Sequence, residues 1–288
     1  MKIIRDPAAM TAWSREQSRS GVSIGFVPTM GFFHEGHVSL MRMAGQRNDK
    51  VVVSLFVNPT QFGPGEDLSN YPRDFDRDSQ LAGQAGVDVL FVPETESMYP
   101  EGARTTVSVQ GLTEFLCGAD RPGHFTGVTT IVTKLFNIVL PDEAVFGRKD
   151  FQQLVVIRQM CLDLNVGVKI IGHPIVREDD GLAMSSRNAY LSDELRESAL
   201  SLSKSIMLAR QSVVAGERDV DTLAASVRML IDSYPETSVD YISFFNDQTL
   251  TPVARIDEAT VLALAVKIGG KVRLIDNSYL MPPEDNQV

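Results

Sequence analysis

Five short apolar runs rich in valine and isoleucine recur along the chain, at Val22–Val27, Val51–Val57, Val87–Val92, Ala144–Phe146 and Val168–Val176. Their apolarity is continuous rather than alternating, the pattern of strands buried on both faces. Segments of helical pattern separate them. Such alternation predicts an α/β fold, a doubly wound, Rossmann-like parallel sheet covered by helices on both sides. Ligands of these sheets gather at the carboxyl ends of the strands. The distinctive polar residues follow those ends: Thr29 to His37 after the first run, Asn58 to Gln61 after the second, Gly147 to Gln153 after the fourth.

Beyond residue 175 the pattern changes. Ser192 suits a helix N-cap, with Asp193 and Glu194 in the first turn and Gly216 as the stop. A second helix is expected over Val220–Ser233. Strand-like segments follow at Val239–Phe245, Val261–Ile268 and Lys271–Ile275, with Gly269-Gly270 as a two-residue hairpin signal. The chain therefore divides into a Rossmann-like domain over 1–175 and a smaller α+β lid domain over 176–288. Met281 to Val288, with two prolines and acidic residues, reads as disordered.

Charge and cysteine usage narrow the function classes. The net charge is −10, which opposes a nucleic-acid partner because non-specific binding needs a basic surface. Two cysteines, Cys117 and Cys161, offer no disulfide framework, which fits a reducing cytoplasm. Met1–Asp6 lacks the apolar core of a signal peptide, and no run approaches the roughly 18 apolar residues of a membrane helix. A soluble cytoplasmic protein is expected, with no membrane partner.

The first polar cluster carries the sharpest chemistry. Pro28-Thr29-Met30-Gly31-Phe32-Phe33 leads into His34-Glu35-Gly36-His37, which opens a helix. Histidines at i and i+3 project to one side of its first turn. Free backbone N–H groups and the positive end of the helix dipole favour an anion there, such as phosphate. Imidazoles so placed stabilise charge developing on an α-phosphate and on leaving pyrophosphate. A zinc site is disfavoured, since only His124 and His173 remain and no Cys-x-x-Cys occurs.

With Phe56-Val57-Asn58-Pro59-Thr60-Gln61-Phe62, Phe146-Gly147-Arg148-Lys149-Asp150-Phe151-Gln152-Gln153 and Asp180-Gly181-Leu182-Ala183-Met184-Ser185-Ser186-Arg187-Asn188, the chain resembles the pantoate–β-alanine ligases over essentially its whole length. The first and last blocks are similar to the His-Ile-Gly-His and Lys-Met-Ser-Lys-Ser elements of nucleotidylyltransferases. The resemblance implies joining pantoate to β-alanine with ATP and Mg²⁺, through a pantoyl adenylate, with release of pyrophosphate and AMP. It also implies a homodimer through the N-terminal domain.

Residue roles follow from the same resemblance. His34, His37 and Lys149 are implied as catalytic, with His37 as proton donor. Met30 to His37, including Gly31, Phe32, Phe33, Glu35 and Gly36, would bind ATP, as would Gly147, Arg148, Lys149, Asp150 and Val176. Met184, Ser185, Ser186 and Arg187 would form a mobile loop on the triphosphate. Gln61, Gln153 and Asn58 are implied for pantoate, and Gln61 also for β-alanine. Amides suit a nucleophilic carboxylate, which a bidentate arginine would blunt. Lys149 and Gln153, four apart on one helix, would share a crevice. Arg121 and His124 read as lid residues in the glycine-rich segment Gly118–Gly127, and Phe32 as core filling. Asp76 and Asp78 are candidates to touch Mg²⁺, but the stretch from Tyr71-Pro72-Arg73-Asp74 onwards also reads as an exposed acidic helix start. Magnesium binds mainly through substrate phosphates, so no metal ligand is assigned.

Overall fold

The computed structural model describes residues 1–66 and 68–281. Six strands form one sheet: β1 (Lys2–Ile4), β2 (Ile24–Thr29), β3 (Lys50–Leu55), β4 (Val89–Phe91), β5 (Glu143–Gly147) and β6 (Lys169–His173). Every pairing is parallel, in the order β1-β4-β3-β2-β5-β6. Successive residues explain the continuous apolarity. Phe26, Val52, Phe91 and Phe146 enter one buried cluster, while Val27, Val53, Leu90 and Val145 enter another. Both faces are core, so neither can carry the polar alternation of a half-exposed strand. β1 had no counterpart among the expected strands, being three residues long with two of them exposed.

Helices α1 (Pro7–Arg19), α2 (Glu35–Arg47) and α3 (Phe75–Gln84) connect the first strands. The short α4 (Thr95–Met98) and α5 (Leu116–Asp120) precede the apolar α6 (His124–Val139), and α7 (Phe151–Asp163) follows β5. Chain order reverses between β2 and β5, the switch point beside which open α/β sheets bind ligands.

The chain divides into two compact units, Met1–Arg148 with Gln152–Pro174, and Lys149–Phe151 with the described residues from Ile175. Lys149–Phe151, expected in the first domain, group with the second. That unit contains α8 (Asp193–Ala199), α9 (Ser201–Val214), α10 (Val220–Asp232), β7 (Thr237–Asn246), β8 (Thr260–Ile268) and β9 (Val272–Tyr279). Its strands form an antiparallel sheet in the order β7-β8-β9, packed on a core that includes Leu202, Ile206, Val227 and Leu264. The single helix expected after Ser192 is interrupted at Leu200, and the β8–β9 connection uses three residues because Ile268 pairs with Val272. Of the tail expected to be disordered, residues 282–288 lie outside the described residues.

Candidate active site

The histidine turn grows from the end of β2. Gly31 (φ 93°) and Phe32 (φ 53°) take left-handed backbone conformations between Thr29 and the helix start. A Cβ at Gly31 would lie 3.1 Å from an Asp78 oxygen and 3.3 Å from Leu55, so glycine serves both turn and packing. Asp78 holds this turn: its carboxylate accepts from the N–H groups of Phe32 (2.7 Å) and Phe33 (2.6 Å). Burial pushes the Asp78 carboxyl up, while the two N–H groups pull it back toward ionisation. Asp78 was expected on an exposed helix start, but it is 1% exposed. Asp74 is the cap residue there, which turns the side chain one turn later inward.

Phe33 is fully buried core, whereas Phe32, expected as core filling, is half-buried with the Arg77 guanidinium 5.2 Å from its ring centre. Glu35 is exposed and pairs with Arg42.

His34 is the N-cap of α2, and its Nδ1 accepts from the Gly36 N–H at 3.1 Å. The His37 Nδ1 accepts in return from the His34 N–H at 3.4 Å, closing a reciprocal capping box. The His37 N–H goes to the His34 carbonyl at 2.8 Å. The amides of Gly36 and His37, expected to face an anion, are thus engaged within the turn. A nitrogen that accepts carries no proton, so each neutral ring holds its proton on Nε2. The rings lie 4.2 Å apart. This arrangement presents two imidazole N–H donors at the positive end of a helix.

The amide turn follows β3. Asn58, 1% exposed, caps a one-turn helix over Pro59–Gln61. Its Nδ2 donates to the Gly127 carbonyl (3.2 Å) and to Gln61 Oε1 (3.1 Å). Gln61 Nε2 reaches the Met30 sulfur at 3.1 Å, which brings the amide turn to the segment leading into the histidines. α6 packs closely here: a Cβ at Gly127 would stand 2.4 Å from the Thr60 carbonyl oxygen, so glycine is required.

Arg121 lies in the short connection between α5 and α6, and His124 opens α6. Both fasten the amide turn. His124 Nδ1 donates to the Gln61 carbonyl (2.8 Å), and Arg121 donates to that carbonyl (3.2 Å) and to His124 Nε2 (3.1 Å). Arg121 also holds Glu66 through two bonds of 2.7 and 2.6 Å, which keeps that carboxyl below its usual range. Gln152, which sequence reasoning did not single out, is buried; it donates to the carbonyls of Leu112 (3.0 Å) and Phe115 (2.7 Å) and accepts from the Gly118 N–H (3.3 Å).

At the end of β5, Arg148 Nε donates to the Gly172 carbonyl at 3.2 Å. Arg148–Asp150 form a 3₁₀ turn and α7 begins only at Phe151, so Lys149 precedes the helix that carries Gln153. Gln153 is half-buried on α7. In the second unit, the Lys149 carbonyl accepts from Asn277 Nδ2 at 2.8 Å. Val176 and Met184, both expected at the nucleotide, meet through a 3.0 Å backbone bond. Ser185 caps the turn Ser186–Tyr190 by accepting from the Arg187 N–H at 3.2 Å. Among the described residues no group of three or more His, Cys, Asp or Glu is arranged to hold a metal ion.

The pantoate-beta-alanine ligase family profile matches residues 2–279. The chain belongs to the pantoate–β-alanine ligase family. It is 57% identical to the pantothenate synthetase of Heliobacterium modesticaldum over 277 residues, 96% of this chain and 98% of that protein. With the pantothenate synthetase of Geobacter sulfurreducens identity is 55% over 280 residues, 97% and 99% of the two chains. The crystal structure of the Thermus thermophilus pantothenate synthetase superposes with a TM-score of 0.91 at 43% identity, covering 98% of this chain and 100% of that one. A Francisella tularensis pantoate-beta-alanine ligase, complexed with beta-gamma ATP and beta-alanine, gives 0.79 at 32% identity, covering 97% and 98%. Members of this ligase family therefore share both the parallel sheet and the antiparallel unit of this chain.

Proposed function

We propose that this chain condenses pantoate with β-alanine at the expense of ATP, through an enzyme-bound pantoyl adenylate. Pantoate's carboxylate oxygen attacks the α-phosphorus and pyrophosphate leaves. The amine of β-alanine then attacks the acyl carbon, losing a proton as the amide forms, and AMP leaves with the acyl C–O electron pair. The observation that carries this reading is the reciprocal His34–His37 cap, which fixes two imidazoles through their Nδ1 atoms at a helix start beside the sheet's switch point. Donors fixed in advance stabilise the charge of a phosphoryl-type transition state without reorganising. His37, implied as proton donor, accepts at Nδ1, which leaves Nε2 as the nitrogen that would carry the proton.

Gln61, Asn58 and Gln153 are assigned to pantoate, and Gln61 also to β-alanine. The ATP-binding roles of Met30–His37, Gly147–Asp150, Val176 and Met184–Arg187 rest on the resemblance. Asp78 engages both carboxylate oxygens with backbone N–H groups, so Mg²⁺ is proposed to arrive on the triphosphate and no step is routed through a protein-held metal.

Exchange of labelled pyrophosphate into ATP tests the intermediate. Exchange is expected with pantoate alone, without β-alanine. Its absence under conditions where the complete reaction runs rejects the adenylate. The reading includes a cytoplasmic homodimer; sedimentation equilibrium showing one species of 31.7 kDa would refute the dimer.

A further inference from the structure

The amide of Gln61 has a polarity, and the structure shows what sets it. The Gly127 carbonyl can only accept, so the Asn58 nitrogen must face it at 3.2 Å. Asn58 Oδ1 then faces the other way, where it accepts from Tyr99 Oη (2.8 Å), Thr60 Oγ1 (3.0 Å) and the Thr60 N–H (3.4 Å), the two hydroxyls lying 3.1 Å apart. The second proton on Asn58 Nδ2 is directed at Gln61 Oε1. With its oxygen engaged, Gln61 presents its nitrogen, which neighbours the weakly accepting sulfur of Met30.

We infer that Tyr99 is a positioning residue that acts through Asn58 to hold Gln61 as a hydrogen-bond donor, selecting acceptor substrates that offer an oxygen lone pair. The chain of bonds runs in one direction, from phenol to asparagine to glutamine. A reversed Asn58 would set Nδ2 against the Thr60 N–H and its oxygen against the Gly127 carbonyl. Reversal of Gln61 would set two amide nitrogens against each other. The phenol suits this role because burial pushes its pKa above the ordinary tyrosine value, keeping the O–H protonated. Its ring is steadied by Phe56, 6.4 Å between centres, and by the Lys134 ammonium 5.8 Å from its centroid. The consequence for specificity is that a carboxylate or hydroxyl oxygen is accepted, while an analogue ending in a carboxamide nitrogen at that point is rejected.

The inference rests on the proposed reading that Gln61 faces pantoate and β-alanine, so its test has an arm that needs no turnover. In Tyr99→Phe the fold should persist, because only an oxygen is lost from a half-buried ring. Hydrogen exchange of the Asn58 side-chain amide, followed by ¹⁵N-resolved NMR of the unliganded enzyme, is expected to accelerate about tenfold, the equivalent of ~1.4 kcal/mol. Unchanged exchange overturns the relay whatever the enzyme catalyses. In steady-state assays the KM of pantoate, of β-alanine or of both should rise about threefold to tenfold with the KM of ATP nearly constant. Equal rises for all three substrates, or none, would show that Tyr99 is merely structural. Loss of protection at Asn58 without any acceptor effect would leave the bond chain intact and overturn its link to specificity.

Discussion

Both the histidine turn at 34–37 and the amide turn at 58–61 follow adjacent central strands, yet their side chains are fixed at different range. His34 and His37 are locked by backbone groups two and three residues away. Asn58 also accepts from Thr60 two residues on, but it is held besides by Tyr99 and Gly127, 41 and 69 positions distant. A helix start supplies its own orphan N–H groups, so an imidazole at the cap finds a partner at once. A one-turn 3₁₀ helix supplies few, here the Thr60 N–H at 3.4 Å, and its amides are held further by α6 and the tyrosine that follows α4. The first turn can therefore be altered without disturbing the second, and each can be broken from elsewhere in the sheet unit.

The largest expected effect separates capping from chemistry in the histidine turn. His34→Asn keeps a capping acceptor while removing the Nε2 donor, so melting temperature should hold while turnover falls roughly 10²–10³-fold. Unchanged turnover would show that His34 serves only as a cap. Next comes Gly127→Ala, which forces a methyl against the Thr60 carbonyl and should cost ~1–3 kcal/mol of stability by overpacking. The substrate dependence should shift for pantoate and β-alanine and stay flat for ATP; a shift in ATP alone would contradict the separation of the two turns.

Asp78→Asn attacks the histidine turn from α3. Replacing a carboxylate oxygen by NH₂ leaves one backbone donor facing a donor, a penalty of ~1–3 kcal/mol. Calorimetric ATP binding should weaken with pantoate binding retained, and the reverse outcome would assign Asp78 to the other turn. The smallest effect belongs to Glu66→Gln at the rim of the amide turn, where a partly exposed ion pair with Arg121 contributes less than ~1 kcal/mol. The Glu66 carboxyl lies below its ordinary value because of Arg121. Its contribution is therefore complete above the unfolded glutamate range and fades as pH falls through the lower folded value. Denaturation of wild type and variant should converge in acid, and a gap that widens there would give the opposite sign.

The strands and the histidine helix were legible because their signals are local: apolar continuity, a proline, a capping pattern. Val51–Val57 and Val87–Val92 overran β3 and β4 at one or both ends but found the right neighbours for the polar residues. Asp78 was misread for the converse reason. An acidic residue near a helix start looks solvated, and nothing in its neighbours announces two backbone N–H groups 45 and 46 positions back in the chain. Tyr99 and Gly127 were silent likewise, since their significance arises from close approach rather than residue type. The helix expected to hold both Lys149 and Gln153 begins after Lys149 because one 3₁₀ turn precedes α7, a detail too short for periodicity to register.

The carbonyl of Gly127 is the fixed end of the amide chain, and it belongs to the main chain. Natural variation rewrites side chains and leaves peptide oxygens where the fold puts them. The sense in which Gln61 offers its amide is thus inherited from the backbone path of α6, and sequence drift around the turn can retune contacts without reversing it. What drift cannot supply is a Cβ at position 127, so the heritable constraint on recognition falls on a residue with no side chain to recognise anything.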